Sequence, residues 1–160
     1  MTRTFAAAGC ALLLCAGAAA CSPPAATDDD AVVRWMDARA DDAGADGVLG
    51  QATARVGTAD REPAAAPGAV ALTFDEPIQV QGLRLSCVGD GTVDLTVYVT
   101  TGTAGGGTST EALTYADVAC GSTVHEEPLA VQDATGIGFS GSGADRAGAW
   151  HAVVVGDDGR

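Results

Sequence analysis

LRLSCVGDGTVDLTVYV, residues 83–99, alternates apolar and polar side chains on both sides of a Gly-Asp-Gly break. Leu83, Leu85 and Cys87 share one parity, with Arg84 and Ser86 on the other. Beyond the break Val93, Leu95, Val97 and Val99 fall together, opposite Asp94, Thr96 and Tyr98. A period of two is the signature of a strand with one buried face. Asp90 and Gly91 both tolerate positive φ, so the spacing predicts a tight hairpin over 83–99.

The same character extends outward from this block. Upstream, Val70, Leu72 and Phe74 alternate with smaller residues until Pro77 breaks the run, and VLGQATARV, residues 48–56, reads as a first strand. Downstream, TGTAGGGTST, residues 101–110, reads as a flexible loop. It is followed by four short strand candidates, ALTYADVAC (112–120), STVHEEPLAVQ (122–132), GIGFSGS (136–142) and AGAWHAVVV (147–155). Short strands separated by turn residues at this spacing predict an all-β fold, a small β-sandwich of jelly-roll-like or Ig-like type over residues 48–160. Ahead of it, AVVRWMDARADDAG (31–44) repeats Val32, Val33, Met36 and Ala40 at helical spacing, so residues 21–47 are expected to be a flexible tether carrying one short helix that ends near Gly44. Trp35 is its natural hydrophobic anchor, and Trp150, flanked by apolar residues, belongs to the core.

The first twenty residues have a different build. Arg3 precedes an apolar run from Phe5 to about Ala20, and Pro23 and Pro24 then stop any helix. The run is short of the roughly 20 strongly apolar residues that a stable span needs, so residues 1–20 are expected to be a signal peptide. Ala18-Ala19-Ala20-Cys21 resembles a bacterial lipobox, with Ala where Leu is most common. That resemblance implies a diacylglyceryl thioether on Cys21 and attachment to the extracytoplasmic face of the cell membrane. Ala18 and Ala20 also satisfy the small-x-small rule of ordinary secretion, which is the alternative.

Charge narrows the partners. The chain has eight basic residues, all arginine, against 21 acids, a formal charge of −13. Losing Arg3 with the leader leaves seven arginines against the same 21 acids, or −14. Such a surface repels phosphate, which argues against nucleic acid and against lying on anionic lipid, so membrane contact falls to the acyl chains. Of five cysteines, Cys10 and Cys15 leave with the leader and Cys21 takes the lipid, so Cys87 and Cys120 are expected to form a disulfide.

RLSCVGDGTVDLTV, the second cysteine in VACGSTVHE, and GAWHAVVV together resemble small lipoproteins of high-GC Gram-positive (actinobacterial) bacteria. The likeness covers about the last half of the chain. It implies a disulfide-bearing β domain on a lipid anchor and brings no catalytic residue with it.

Chemistry is sparse. His125 and His151 are the only histidines, and neither Ser122 nor Ser140 sits in a nucleophile elbow. The pairs Asp75 with Glu76, Glu126 with Glu127, and Asp157 with Asp158 point to opposite faces if extended, and read as solubilising surface. In DDAGADG, residues 41–47, Asp42, Asp46 and Gly47 fall at calcium-loop positions, but Gly44 takes a ligand position and Thr53 stands where a bidentate Glu is required. No metal or cofactor is expected. Tyr98 and Asp94, on the polar parity of one strand, form a candidate surface patch for a glycan or an envelope protein. The expectation is a non-enzymatic, lipid-anchored binding module; a small hydrolase with a loop-borne site around His125 or His151 is the alternative.

Overall fold

The computed structural model describes residues 28–63, 70–103 and 105–157, so Cys21 and the signal-peptide reading lie outside the described residues. An α-helix, α1 (Asp29–Arg39), runs into a 3-10 turn (Ala40–Gly44). Six strands follow: β1 (Val48–Val56), β2 (Val70–Val88), β3 (Thr92–Gly102), β4 (Thr108–Ala119), β5 (His125–Ser142) and β6 (Gly148–Asp157). All pairings are antiparallel, in the order β1-β6-β2-β5-β3-β4.

Two of these strands serve two layers each. Residues 79–88 of β2 lie beside β6, while residues 70–73 pair with residues 136–139 of β5, whose other edge takes β3. Between the two parts of β2 the register skips from Thr73 to Ile78. Pro77 sits in that gap, where its missing N–H breaks no ladder bond. In β5 the corresponding bend carries Asp133 at φ 58°. Strands β1 and β6, the second part of β2 and the first half of β5 thus make one layer, and the first part of β2, the second half of β5, β3 and β4 make the other. The two layers close on one core as an all-β sandwich. Leu83, Leu85, Trp150, Ala152 and Val154 come from one side, and Val93, Leu95, Val97, Ile137 and Phe139 from the other. The rings of Phe139 and Trp150 meet across it at 6.2 Å.

The expected alternation over 83–99 is present, but the hairpin is not. Among the described residues β2 pairs with β5 and β6, and β3 with β4 and β5. Both edges of β2 are occupied, so the chain crosses through Gly89-Asp90-Gly91 to the opposite layer and forms an arch. The two glycines take positive φ, 128° and 105°, while Asp90 does not, so the turn expected for a two-residue hairpin does not form. The Asp145 carboxylate holds the arch, accepting from Thr92 N–H at 2.9 Å and from its hydroxyl at 3.1 Å.

A hairpin lies instead between β3 and β4, where Gly102 faces Thr108 and Thr103 N–H donates to the Gly107 carbonyl at 2.8 Å. Much of the stretch read as a loop is therefore strand. STVHEEPLAVQ and GIGFSGS, read as two strands, are joined in β5, because a bulge bends a strand without ending it. In β4 the register moves from Val93↔Val118 to Leu95↔Tyr115 around Asp117, which has φ 54°. Tyr115 rather than Ala116 therefore turns toward the core.

Cys87 and Cys120 are disulfide-bonded, with Cα atoms 4.6 Å apart. The bridge ties β2 of one layer to the end of β4 of the other, and Cys120 N–H and Gly121 N–H add bonds to the Gly91 and Cys87 carbonyls at 2.9 and 3.0 Å. Residues 29–44, expected to be part of a tether, are packed. Asp28 caps α1 by accepting from Asp30 N–H at 3.0 Å. Val32 is buried, and Arg55 of β1 reaches Asp29 at 2.8 Å. The helix makes a third, partial layer on the outer face of β1 and β6.

Two substitutions test this architecture. The bridge closes a separation of 33 residues, so the Cys87→Ala, Cys120→Ala double variant should lose about 3–4 kcal/mol in urea unfolding, matching reductant-treated native protein. A Cβ at Gly141 would overlap the Trp150 indole. Gly141→Ala should cost about 1–3 kcal/mol by the same measurement.

Candidate functional site

Two places on the molecule collect polar side chains, and they lie on opposite faces of the sandwich. The first is beneath the arm. His151 on β6 faces outward, opposite Thr53 on β1 and Ser86 on β2. The arm covers it so fully that it is 2% exposed. Its Nδ1 is 2.7 Å from the Thr53 hydroxyl, its Nε2 is 3.5 Å from an Asp42 carboxylate oxygen, and the Trp35 ring stands edge-on at 6.4 Å. Arg39 lies over Trp35 at 5.3 Å and 3.7 Å from Asp42. Trp35 is thus the anchor expected of it.

Burial pushes the His151 pKa below its ordinary value; Asp42 opposes this, and Arg39 and Arg84 reinforce it. Nδ1 shares a hydrogen bond with the Thr53 hydroxyl, while Nε2 faces Asp42 at a distance long for a hydrogen bond. Histidine, carboxylate and hydroxyl are the groups that the hydrolase reading requires. However, Asp42 belongs to the arm that seals the histidine. Lifting the arm to admit a substrate would remove the acid, so the trio suits a latch better than a reaction centre.

His125 opens β5, half-buried, with Nε2 3.0 Å from the Ala119 carbonyl. Ser122 is exposed ahead of it, and Ser140 lies opposite Thr96 in the other layer. Nearby, burial and the Glu127 charge raise the Tyr115 pKa. Asp75 and Glu76 are exposed beside the β2 bend, and Glu126 is exposed while Glu127 is half-buried.

The second place is the outer face of the β2-β5-β3-β4 layer. Register aligns its outward residues in rows across the strands. One row is Ala71, Gly138, Tyr98 and Ala112; the next is Thr73, Gly136, Thr100 and Thr110; on the other side of Tyr98 come Ser140, Thr96 and Thr114. Hydroxyl pairs stitch the face at 3.1 Å (Thr96 to Thr114) and 3.0 Å (Thr100 to Thr110). Along the first two rows runs a groove of about 320 Å3 that Tyr98 lines.

Asp94 and Tyr98 share this face, as expected, but the structure does not bring them together. Thr96, 3% exposed, lies between them. Asp94 accepts the Asp117 N–H at 2.9 Å and so pins the β4 bulge, and its carboxylate lies where a Cβ on Gly143 would fall. Tyr98 turns to the groove, beside Thr73, Thr135, Gly136 and Gly138. Those four were missed in the sequence, although Gly136, Gly138, Ser140 and Ser142 do alternate with Ile137, Phe139 and Gly141. The small outward parity was the available signal.

No family model matches the sequence, and no curated protein matches it significantly. Solved structures of infectious bursal disease virus are similar over part of their length. The Gt strain has a TM-score of 0.33 and 18% identity, covering 72% of this chain and 34% of that one. The Gx strain has a TM-score of 0.33 and 15% identity, covering 72% and 36%. The VP2 subviral particle has a TM-score of 0.27 and 18% identity, covering 70% and 34%. The chain spans about a third of the length of these matched chains.

The latch makes a pH prediction with a definite sign. Because the folded-state pKa of His151 is lowered, the undocked or unfolded chain binds the proton more readily. Stability is full above the ordinary histidine value of 6.5 and declines as pH falls below it. Each pH unit between the two pKa values removes at most about 1.4 kcal/mol. Urea midpoints at pH 7.5 and 5.0 should differ for the native chain and differ less for His151→Gln. Thr53→Val should cost about 1–3 kcal/mol at pH 7.5 by leaving Nδ1 unpaired.

Proposed function

We propose that this chain is a non-enzymatic binding module, held on the extracytoplasmic face of a cell membrane by a lipid on Cys21, that engages its ligand through the outer face of the β2-β5-β3-β4 layer. One observation carries the reading. A chain with 21 acids and a formal charge of −13 has, among the described residues, three neighbouring rows of that face with no ionisable group other than the Tyr98 phenol. Three other grooves among the described residues are charged: Asp75 and Glu76 line one, which adjoins the Tyr98 groove at Thr73 and Phe74; Asp46, Arg84, Glu126 and Glu127 line a second; and Asp29, Arg55 and Asp60 a third. On that face the described acid Asp94 lies beyond these rows and is committed to the Asp117 N–H. Rows without a carboxylate fit a surface that must be desolvated on binding, where an unpaired charge is expensive.

Anchoring rests on the lipobox resemblance and on the cysteine count. The disulfide of Cys87 with Cys120 removes both as rivals for the thioether and fits an oxidising compartment. The cell envelope is then the setting for partners, a glycan or another envelope protein, and the charge opposes nucleic acid.

Two measurements test this reading. Intact mass of the chain from the membrane fraction of its host should show a diacylglyceryl increment on Cys21, and Cys21→Ala should appear without it in the medium. An unmodified chain in the medium would overturn the anchor. Hydrogen exchange of the purified chain with isolated envelope material should then show protection concentrated in residues 96–100, 110–114 and 135–140. Protection confined to the arm or the acidic grooves would overturn the binding face.

A further inference from the structure

We infer that the groove centred on Tyr98 is a binding site for a sugar ring of an uncharged polysaccharide. This rests on the binding-face reading above and gives its ligand a chemical class. A pyranose or furanose ring offers an apolar C–H face and a rim of hydroxyls. Its site therefore needs an aromatic wall, a floor that comes close to the ring, and neutral groups that both donate and accept hydrogen bonds.

The groove has these parts in one place. The Tyr98 side chain, half-exposed, forms the wall. Gly138 is its direct neighbour on β5, and Gly136 is two residues along, so the central strand presents backbone where other residues would raise side chains. The floor at Gly136 is close-packed, since a Cβ there would stand 3.3 Å from the Leu72 carbonyl. Around the rim are the hydroxyls of Thr73, Thr100 and Thr135. Thr100 shares a hydrogen bond with Thr110, and Thr135 donates to the Thr100 carbonyl at 3.3 Å. These bonds fix the rotors and leave the Thr135 oxygen lone pairs to accept from a ligand. At about 320 Å3 the groove matches the small end of ligand sites, the scale of one ring rather than of a protein loop.

Charge selects the kind of sugar. None of the described residues lining the groove is charged, so no arginine among them can receive a uronic acid, sulfate or phosphate. The whole chain at −13 repels polyanions as well. A positively charged sugar would find no carboxylate among the described residues of this groove, Asp75 and Glu76 lining the adjoining one that shares Thr73 and Phe74. A neutral hexan or pentan is the remaining polymer that the surface accepts.

The test is affinity electrophoresis and calorimetry of the full chain against soluble neutral polysaccharides (mannan, galactan, arabinan and dextran), with alginate as the anionic control. At least one neutral polymer should bind saturably and alginate should not. Tyr98→Ala should weaken that binding about tenfold, on the scale of one lost aromatic contact. Tyr98→Phe should keep it, and Thr73→Val should weaken it less than Tyr98→Ala. Far-UV circular dichroism and an intact disulfide serve as folding controls for each variant. Binding of no neutral polymer, equal binding of alginate, or binding indifferent to Tyr98→Ala would each overturn the inference. If the panel fails while envelope material still protects residues 96–100 from exchange, the sugar assignment falls and the binding face stands. If both fail, the two fall together.

Discussion

The fold depends on two strands being longer than one layer is wide. β2 has 19 residues and β5 has 18, and both bend and continue into the opposing layer instead of stopping. Because they are hydrogen-bonded to each other on both sides of the bend, the corner of the sandwich is itself continuous sheet. The layers are hinged there, and the Cys87–Cys120 bridge ties them again at the arch after β2. What lies between need only fill the space, which Trp150 and Phe139 do from opposite walls. The glycines follow from this: Gly141 faces the Trp150 indole and Gly148 the Val88 carbonyl, positions where a Cβ has no room.

Alternation in the sequence reported faithfully which side chains face inward, because a strand's period is fixed by its backbone and not by its partner. It says nothing about which strand lies alongside. Leu83, Leu85 and Cys87 on one side of a short break, and Val93, Leu95 and Val97 on the other, are buried equally well side by side in a hairpin or face to face in an arch. Asp90 and Gly91 favoured the hairpin locally, and the competition was decided by β5 and β6, which begin at His125 and Gly148 and take both edges of β2. The joined β5 and the β4 bulge have the same origin. Asp117 and Asp133 adopt positive φ that aspartate tolerates but does not announce, and tertiary pairing sets it.

The two polar sites differ in legibility for a related reason. Trp35, Asp42, Thr53 and His151 come from an arm and two strands spread over 117 positions, counting both ends, and no spacing rule joins them. The Tyr98 groove was half visible. The tyrosine and its parity could be read, and so could small residues at the outward positions of GIGFSGS. Their conjunction required the β3–β5 register, which places Gly138 opposite Tyr98. Asp94 was paired with Tyr98 on parity alone; parity does not say that a carboxylate is already committed to the Asp117 N–H.

The placement of the two sites also bears on how an anchored module would work. The arm docks on the outer face of β1 and β6 through Val32, Trp35 and the His151 cluster, so the chain enters the domain from that layer. The Tyr98 face is the outer surface of the other layer, on the far side of the core. On the anchored reading, docking does more than bury a helix: the Tyr98 rows then lie on the layer away from the docked arm. A freely jointed tether would present every face with equal weight. A docked arm uses the contacts of Val32 and Trp35 to remove that freedom, and the burial of His151 beneath it lowers that histidine's pKa. On that reading, presentation of the proposed binding face and burial of the histidine are consequences of the same contact.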